Sequence, residues 1–394
     1  MKVVHVIRSM DPAAGGPPVV AARLGAAQAL MGHEVVIVAY DEPGATDRMT
    51  KSYAGAPGFD RVRMVSIPRG GRAERLLARG ARRVLKHEVP GAGAVHLHGV
   101  WDPILLAAAS AARQGGVPYA LTPHGMLDPW SLGQTLSKQI KKRAALALAY
   151  RAMLNRAGFI HALNADEARL LEPLRLRAPR QVFPNGIFIE EFASLPAPGS
   201  FRQARPELGN DPFVLFLSRL HFKKGLDYLV EAFALLRTRH PRVRLVIAGP
   251  DDGYRATLES LIARQNAADR VHLVGPLYGP EKLSALVDAS VFCLPSRQEG
   301  FSMAITEAMA CRLPVVVSDQ CHFPEVAEVG AGRVVRCDPK GVAAALEEVF
   351  SDETARRRMG EAGRRLVEER FTWARIAAGM VEAYQRAGSS SASG

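Results

Sequence analysis

The hydrophobic positions of this chain follow two alternating patterns. Short, nearly continuous apolar runs rich in valine and isoleucine alternate with longer segments in which apolar residues recur every three or four positions. The first pattern is typical of strands buried on both faces of a parallel sheet, and the second of helices that cover such a sheet. The order predicts two α/β domains, each built on a doubly wound parallel sheet. The predicted strands begin near Lys2, Glu34, Val62, Ala94, Tyr119, Phe159 and Gln181 in the first half, and near Phe213, Val243, Val271, Val291 and Val315 in the second.

The length of the chain and one irregular segment predict where the domains divide. A chain of 394 residues is too long for one ordinary core, and two domains of roughly 150 to 200 residues are the natural expectation. Residues 193–200 are rich in Pro, Ala and Ser without periodicity, so we predict a linker there. We expect a first domain at 1–192, a second at 201–371, a helix at 372–388 that packs back on the first domain, and a disordered tail at 389–394.

Two carboxylates lie close to the start of an apolar helix that is predicted between Met303 and Leu313, with Ser302 as its N-cap. A helix N-terminus offers unpaired N–H groups and a partial positive charge, so the loop from Glu299 to Ser302 is suited to receive an anion such as a phosphate. Glu307 is the only charge among Met303 to Cys311 and needs a partner, which the hydroxyls of a ligand could supply. Alternatively, Glu307 lies on an exposed helix edge and Glu299 is an ordinary loop charge.

Other loops that follow predicted strands carry cations and glycines. Arg219 and Lys224 lie between a strand end and a helix start, where they could hold a diphosphate or serve as ordinary surface cations. Gly15 and Gly16 follow the first strand without the GxGxxG spacing, which excludes the NAD or FAD fingerprint. Paired glycines let a backbone approach a ligand closely, although a tight turn into a helix explains them equally well.

Polar and aromatic residues also collect after two strands of the first half. His98, Trp101 and Asp102 follow one strand, while His124 and Trp130 follow the next. Because ligands bind at the carboxyl ends of parallel strands, these side chains could line one cleft. The alternative is that the histidines cap strands and the tryptophans pack. His124 is the stronger candidate because a glycine follows it.

The positive charge of the protein is concentrated in its first half. The net charge is +12, and residues 1–190 contain 25 Lys and Arg against 14 Asp and Glu. Much of the excess lies in two predicted helices, one from Arg69 to Lys86 and the other from Lys138 to Arg156. Three interpretations of these helices are open: a charged face exposed to solvent, a site that binds an anionic membrane surface, or a site that binds nucleic acid. We rank nucleic acid last because no aromatic stacking platform accompanies the charge.

The four cysteines and the N-terminal residues indicate in which cellular compartment the protein is expected. The cysteines have no CxxC spacing, which argues against a zinc or redox motif. The chain runs directly into a strand at Lys2 and has no apolar run of membrane-spanning length. We therefore expect a cytoplasmic protein, peripheral at the inner face of the membrane if the basic helices bind lipid.

Taken together, these motifs resemble the retaining GT-B glycosyltransferases of family 4, the group 1 type. The resemblance covers nearly the whole chain and is closest in the second half. It is carried by the E-x7-E motif at Glu299 and Glu307, by Arg219 with Lys224-Gly225, by Pro184-Asn185-Gly186, by the glycine loop and by Arg370-Phe371-Thr372-Trp373. Within the family, His98-Gly99-Val100-Trp101 and the stretch from Pro123 to Trp130 are similar to enzymes that build bacterial surface polysaccharides.

The resemblance implies a GT-B fold, in which two Rossmann-like domains face a cleft that holds a nucleotide-diphospho-sugar. By this analogy, Arg219 and Lys224 neutralise the leaving diphosphate, and Glu299 contacts the transferred sugar. Glu307 would bind the ribose hydroxyls, and His124 would lie beside the reacting sugar. The acceptor side would be lined by His98, Trp101, Asp102 and Trp130. The backbone at Gly15, Gly16, Gly300, Phe301 and Ser302 would approach the phosphates or the sugar.

The implied reaction is a sugar transfer with retention of the anomeric configuration, to a glycan or lipid-linked acceptor. The fixed cations do the work of a metal, and the chain has no Asp-x-Asp motif, so we expect no metal ligands, no obligatory divalent ion and no other cofactor. Two alternatives stay open: a nucleotide-sugar epimerase of the same architecture, and a catalytically silent module that binds nucleotide sugars.

Overall fold

The computed structural model describes residues 1–129, 142 and 144–392 of the chain. It divides into two compact units. Unit 1 consists of Met1–Phe188 and Trp373–Gly394, and unit 2 consists of Ile189–Thr372. The prediction of two α/β units with parallel sheets is confirmed.

Unit 1 contains a seven-stranded sheet in which all neighbouring strands are parallel, in the order β3-β2-β1-β4-β5-β6-β7. Valines and isoleucines fill both faces of its central strands, which explains the continuous apolar runs in the sequence. The strands are β1 (Lys2–Ser9), β2 (Glu34–Tyr40), β3 (Arg63–Ile67), β4 (Ala94–His98), β5 (Tyr119–Thr122), β6 (Phe159–Ala162) and β7 (Arg180–Val182).

Helices cover the two faces of this sheet. The described α-helices of the first segment are α1 (Gly16–Leu30), α2 (Ala45–Tyr53), α3 (Arg72–Leu77), α4 (Arg79–Glu88), α5 (Pro103–Gln114), α6 (Arg151–Asn155) and α7 (Ala165–Leu170). A π-helix at Leu146–Tyr150 precedes α6, and short 3-10 helices occur at Pro12–Ala14, Phe59–Arg61 and Glu172–Leu174.

Unit 2 repeats the design with six parallel strands in the order β10-β9-β8-β11-β12-β13. The strands are β8 (Phe213–Leu217), β9 (Arg244–Ala248), β10 (Val271–Gly275), β11 (Val291–Leu294), β12 (Val315–Ser318) and β13 (Gly332–Val335). The helices are α8 (Ser200–Gln203), α9 (Leu226–Leu236), α10 (Arg255–Arg264), α11 (Gly279–Asp288), α12 (Met303–Ala310), α13 (Glu325–Glu328), α14 (Pro339–Ser351) and α15 (Glu353–Arg370). The chain then returns to unit 1 as α16 (Trp373–Ala392).

Both sheets have a point where the strand order reverses. In unit 1 the reversal lies between β1 and β4, and in unit 2 it lies between β8 and β11. At such a point the loops after the two central strands run to opposite faces and leave a crevice, where ligands of open α/β sheets bind. The candidate loops of the sequence follow these strands.

The last helix extends into the segment that was predicted to be a tail. Residues 389–392, predicted to be disordered, continue α16, in which the Ser389 hydroxyl donates to the Gln385 carbonyl at 3.1 Å. The helix packs on α1, and Trp373, Ile376 and Ala377 join the same core as α1. Its apolar face explains why the helix persists, because the core stabilises the preceding turns.

The predicted basic helix from Arg69 to Lys86 is two helices, because Ala78 adopts a left-handed conformation with φ of 49°. Glu74 fixes this break: its carboxylate accepts hydrogen bonds from the N–H groups of Gly80 at 2.6 Å and Ala81 at 3.1 Å. The Tyr40 hydroxyl donates to the same carboxylate at 2.9 Å.

The boundary between the units also differs from the predicted linker at 193–200. The chain enters unit 2 after Phe188. Phe192 is already buried there, and its carbonyl accepts from Arg364 at 3.3 Å. The Asp288 carboxylate then accepts from the N–H groups of Gly199 and Phe201, so the irregular segment is tied to unit 2.

Among the residues that the structure describes, no helix combines the length and the apolar character that crossing a bilayer requires.

One helical glycine is predicted to be indispensable for packing. A Cβ at Gly360 in α15 would lie 2.1 Å from the carbonyl oxygen of Arg312. We expect Gly360→Ala to lower the free energy of unfolding by about 2 kcal/mol or more, despite the better helix propensity of alanine. The matched control is Gly388→Ala in α16, where the nearest atom is Pro118 Cγ at 3.5 Å. Urea denaturation should show no loss for the control, and equal stability of both variants would contradict the close contact.

Candidate functional site

The crevice of unit 2 contains a lysine and a carboxylate that contact each other. Lys224 Nζ lies 2.6 Å from Glu299 Oε1, and the Ser296 hydroxyl donates to the same oxygen at 2.6 Å. The two charged side chains are 14% and 8% exposed. A pair this close and this shielded is held in place.

The loops that carry this pair touch through a glycine. Gly225 has φ of +66°, and a Cβ there would lie 1.9 Å from the Pro295 carbonyl oxygen. Only glycine permits this approach, because any side chain would overlap the backbone of the loop after β11. The Arg297 N–H also donates to the Lys223 carbonyl at 2.7 Å. The loop after β8 and the loop after β11 therefore form one rigid support for Lys224 and Glu299.

Arg297 further stabilises the contact between these two loops. Its guanidinium forms a two-pronged ion pair with Asp227 at 2.8 and 2.5 Å and lies over the rings of Phe222 and Tyr228, 4.2 and 3.9 Å from their centroids. Planar pairing and stacking are what arginine, unlike lysine, can combine. Sequence reasoning missed this residue, since one arginine in a loop gives no sign of its partners.

Glu307 has a partner within the protein. Lys282 Nζ of α11 lies 2.8 Å from Glu307 Oε1, and the side chains are 25% and 16% exposed. The partner that the sequence requires for this carboxylate is therefore present without a ligand, because Lys282 already offsets its charge. A carboxylate can accept several hydrogen bonds, so binding of ligand hydroxyls is compatible with the pair.

The two predicted diphosphate cations differ in their surroundings. Arg219 pairs with Asp252, which follows β9, and the Arg219 side chain is 61% exposed. Lys224 is shielded and bonded to Glu299. The structure thus gives Lys224 a fixed position and leaves Arg219 in an ion pair that water can reach, which is weak enough to exchange for another anion.

The chain just before α12 has free space beside it. A Cβ at Gly300 would meet no atom within 4 Å. Ser302 holds the N-cap position with extended backbone, yet within the described residues its hydroxyl caps no N–H group. The helix ends at Ala310 rather than Leu313, because Arg312 adopts a left-handed conformation. Phe301 packs on Phe323 and Phe371 with centroids 5.4 and 5.9 Å away, so its ring anchors the loop.

The crevice of unit 1 is a cavity of about 470 Å³. The loop that follows β1 lines part of the cavity, and so do His98, the last residue of β4, and Asp102, which follows β4. The loop is held by Asp11, whose carboxylate accepts from Ala13 N–H at 3.0 Å and forms an ion pair with Arg48 at 2.5 Å. Hydrogen bonding to Arg48 lowers the pKa of Asp11.

The glycine loop offers few backbone donors. Gly15 has φ of +100°, which requires glycine, and its N–H donates to the Pro12 carbonyl at 3.0 Å. Pro17 and Pro18 in the first turn of α1 have no N–H. Of the two predicted donor-binding glycines, Gly16 alone has an N–H that the loop does not use in a described hydrogen bond.

His124 lies at a strained turn that a buried carboxylate fixes. It has φ of 52°, and its Nε2 lies 3.2 Å from His98 Nδ1. Glu167 of α7 accepts from the N–H of Gly125 at 3.0 Å and of Leu163 at 2.7 Å. Burial raises the pKa of Glu167. The carboxylate thereby ties the loop after β5 to the end of β6.

The remaining acceptor-side candidates do not form one group. Trp101 packs edge-to-face on Tyr150 at 5.5 Å, and Lys142 lies over its ring. Asp102 faces the cavity and lies 3.6 Å from Arg8, and burial raises its pKa. Trp130 lies outside the described residues. Trp101 therefore packs against the protein, as the alternative interpretation of the tryptophans had it. Asp102 and His98 line the same cavity.

Sequence reasoning missed three other histidines that lie near His98. His5, His96 and His161 are buried in β1, β4 and β6 and have polar partners. A signal was available, because each interrupts an apolar run that predicts a strand buried on both faces. A polar side chain at such a position requires a hydrogen-bond partner.

Comparison with known protein families gives two matches. Residues 200–366 match the model described as glycosyl transferases group 1, and residues 15–186 match the glycosyl transferase 4-like domain. The chain is 31% identical over 295 residues to an alpha-maltose-1-phosphate synthase of Mycolicibacterium smegmatis, covering 69% of this chain and 73% of that protein.

A second relative is the GDP-mannose:cellobiosyl-diphosphopolyprenol alpha-mannosyltransferase of Xanthomonas campestris, which is 29% identical over 363 residues, with 86% of this chain and 84% of that protein covered. The chain spans about half the length of three other curated relatives that it matches, at 40%, 59% and 48%. Among solved structures, Anabaena HepE in complex with UDP and glucose aligns with a TM-score of 0.75 at 20% identity, over 97% of this chain and 98% of that one, which shows a shared fold.

The loop after β5 is expected to depend on the charge of Glu167. In Glu167→Gln an NH2 group would face one of the two backbone N–H donors, so we expect a loss of about 1 to 3 kcal/mol in the free energy of unfolding. Glu172→Gln, with its largely exposed carboxylate, serves as the control and should be nearly neutral in urea denaturation. Equal midpoints for the two variants would argue against the clamp.

Proposed function

The chain belongs to the group 1 glycosyl transferases and has the GT-B fold, and on this premise we propose that it transfers a sugar from a nucleotide-diphospho-sugar to a glycan or lipid-linked acceptor. The observation that carries the proposal is the shielded Lys224–Glu299 pair, which lies at the strand-order reversal of unit 2 and next to the open start of α12. We propose that this crevice holds the donor.

Cleavage of the sugar–phosphate bond leaves an oxocarbenium-like carbon and adds charge to the departing diphosphate. A fixed cation and a helix N-terminus stabilise that charge more in the transition state than in the bound donor. Lys224 supplies the fixed cation, and Arg219 joins it by exchanging Asp252 for a phosphate oxygen. The N–H groups at the start of α12 supply the dipole.

We assign the two carboxylates to different parts of the donor. Glu299 uses Oε1 for Lys224 and Ser296, and its second oxygen accepts from a hydroxyl of the transferred sugar. Glu307 binds the ribose hydroxyls and keeps Lys282 as its charge partner. In unit 1, His124 contacts the reacting sugar and Asp102 binds the acceptor, while His98 holds the ring of His124 through its Nδ1.

We further propose that the transfer retains the anomeric configuration, requires no divalent ion and serves the synthesis of a bacterial surface polysaccharide. The first two points are supported by the family resemblance and by the cations Lys224 and Arg219, whose charge would balance that of the diphosphate. The third is supported by the name of the Xanthomonas relative, whose acceptor is a polyprenol-linked sugar. An epimerase would release an altered nucleotide sugar without acceptor, and a silent module would bind donor without turnover.

A specific observation favours contact with a membrane surface. Leu76 and Leu77 of α3 are 73% and 48% exposed, and α4 follows with the exposed cations Arg79, Arg82 and Arg83. Exposed apolar side chains beside cations suit an anionic bilayer, where the leucines enter the interface and the cations meet the headgroups. Such contact would bring the protein to a lipid-linked acceptor.

The donor site is tested by calorimetric titration with UDP-, GDP- and ADP-sugars, with and without a chelator of divalent ions. We expect one donor class to bind equally in both conditions. Glu307→Gln should weaken donor binding about tenfold, as for the loss of one charged hydrogen bond. Glu299→Gln should keep binding and lower kcat about a hundredfold, as for one group that acts in the transition state.

The matched control for these variants is Glu259→Gln, whose carboxylate pairs with Arg255 on the exposed face of α10. It should change neither binding nor turnover. No binding of any of the three donor classes would refute the proposal, and the opposite division between the two variants would mean that their roles are exchanged. The anomeric configuration of the product, read by NMR, tests retention.

Membrane contact is tested by sedimentation with vesicles. We expect vesicles rich in anionic lipid to retain the protein at low salt and neutral vesicles to release it. Replacing both Leu76 and Leu77 by serine should lower the vesicle partition coefficient by about two to three orders of magnitude, since each leucine buried in the interface contributes about 2 kcal/mol. Leu235→Ser in unit 2, at a leucine that is 49% exposed, is the control. Equal retention by both vesicle types would exclude this surface.

A further inference from the structure

The buried polar groups of unit 1 form one continuous chain of hydrogen bonds, which we call the imidazole chain. It crosses the face of the sheet that α1 and α16 cover, from His124 to the carbonyl of Phe183. Its links are His124 Nε2 to His98 Nδ1 at 3.2 Å, His98 Nε2 to His5 Nδ1 at 2.9 Å, His5 Nε2 to Gln28 Oε1 at 2.7 Å, Gln28 Nε2 to the Tyr384 hydroxyl at 3.5 Å, Tyr384 to His96 Nδ1 at 2.5 Å, His96 Nε2 to Thr122 Oγ1 at 2.6 Å, Thr122 to His161 Nδ1 at 2.7 Å, and His161 Nε2 to Phe183 O at 2.7 Å.

One end of the imidazole chain fixes the position of every proton in it. A carbonyl oxygen can only accept, so His161 carries its proton on Nε2 and accepts at Nδ1. The Thr122 hydroxyl therefore donates to His161 and must accept from His96 Nε2–H. His96 then accepts at Nδ1, so the Tyr384 hydroxyl donates to it.

The same logic continues through α1. Because the Tyr384 proton is committed to His96, its oxygen accepts from the Gln28 amide, which turns the Gln28 carbonyl toward His5 Nε2–H. His5 then accepts from His98, and His98 accepts from His124 Nε2–H. All the donors point in one direction, and the lone pair of His124 Nδ1 is left at the open end.

We propose that Tyr384 and Gln28 are positioning residues, which fix the Nε2–H tautomer of His124 and so make its Nδ1 a hydrogen-bond acceptor for a substrate hydroxyl. The assignment of tautomers stands on the contacts alone. The role toward substrate rests on the proposed function, in which His124 contacts the sugar. Tyr384 in the last helix, α16, thus influences the protonation of His124, which lies in the loop after β5.

The surroundings of the imidazoles keep them neutral, as the tautomer argument requires. His5 and His96 are fully buried, and His98 and His161 are 2% exposed. Burial lowers the pKa of His5 and His161 to about 4 and that of His124 to about 3, and it holds the pKa of His96 and His98 well below the usual value.

A bound cation is the competing explanation for part of this cluster. Ring nitrogens of His5, His96 and His98 lie within 4.8 Å of one another. In the described part of the chain, however, both nitrogens of each ring already have a hydrogen-bond partner of the right kind. A metal would have to displace those partners, so we favour the hydrogen-bonded arrangement.

The experiment is NMR of the full chain labelled with 15N in histidine, in spectra that correlate ring nitrogens with ring C–H protons. For the unmodified protein at neutral pH, we expect the Nε2–H tautomer in all five histidines of the imidazole chain. An Nδ1–H form or an imidazolium at any of the five would overturn the assignment. So would displacement of the His5, His96 and His98 signals by stoichiometric Zn²⁺.

Removing one hydroxyl should divide the imidazole chain in two. In Tyr384→Phe, His96 and His161 remain fixed by the Phe183 carbonyl, whereas the Gln28 amide is free to turn over. We therefore expect an Nδ1–H population in His5, His98 and His124 only. Gln28→Met interrupts the neighbouring link and should give the same pattern, which provides a second test if Tyr384→Phe folds poorly. Unchanged tautomers in both variants would overturn the proposal.

The matched control is Tyr119→Phe, because Tyr119 is a buried tyrosine of the same unit whose hydroxyl donates to the Met153 carbonyl at 2.6 Å. It should leave all five tautomers unchanged. With the donor identified by titration, Tyr384→Phe should lower kcat/KM about tenfold and Tyr119→Phe less than about twofold, as for the loss of one substrate hydrogen bond. Altered tautomers with unaltered kinetics would overturn the role toward substrate, and they would leave the donor titration as the separate test of the proposed function.

Discussion

The architecture of unit 1 depends on satisfying polar groups inside a sheet that is covered on both faces. Strands β1, β4 and β6 carry histidines among valines and leucines, and an unpaired imidazole in such surroundings would cost several kcal/mol. The polar partners come from different parts of the chain. Gln28 comes from α1, and Tyr384 comes from α16, more than three hundred residues later. The return of the last helix to unit 1 therefore completes a hydrogen-bond network as well as an apolar core.

Unit 2 also has a parallel sheet with one reversal of strand order, but its crevice contains charged side chains rather than neutral imidazoles. Its crevice carries formal charges, and each is paired within the protein: Lys224 with Glu299, Arg219 with Asp252, and Lys282 with Glu307. Internal pairing reduces the cost of shielding the charges and holds the side chains in fixed positions. The exposed pair is the weakest of the three, so it exchanges most readily when a diphosphate competes for the cation.

The candidate site was predictable where its chemistry is local. Glu299, Lys224, Gly300 and Gly15 were found because loops and helix starts have recognisable residue patterns, and the structure places them at strand ends of the two units. Contacts between distant segments were not predictable. Lys282 as the partner of Glu307 and the packing of Trp101 on Tyr150 depend on which helices and loops become neighbours.

The sequence by itself determined the two parallel sheets, because apolar runs that alternate with amphipathic segments leave few other ways to bury both faces of each strand. It also determined which loops carry the candidate site residues, since charged residues and glycines occur in the segments that directly follow predicted strands. Only the tertiary structure decided the charge partners, the left-handed turns at Ala78 and Arg312, and the direction of the imidazole chain. The physical reason is that proton positions follow from a donor and an acceptor meeting in space. The single carbonyl that orients all five imidazoles belongs to Phe183, an ordinary apolar residue in the sequence.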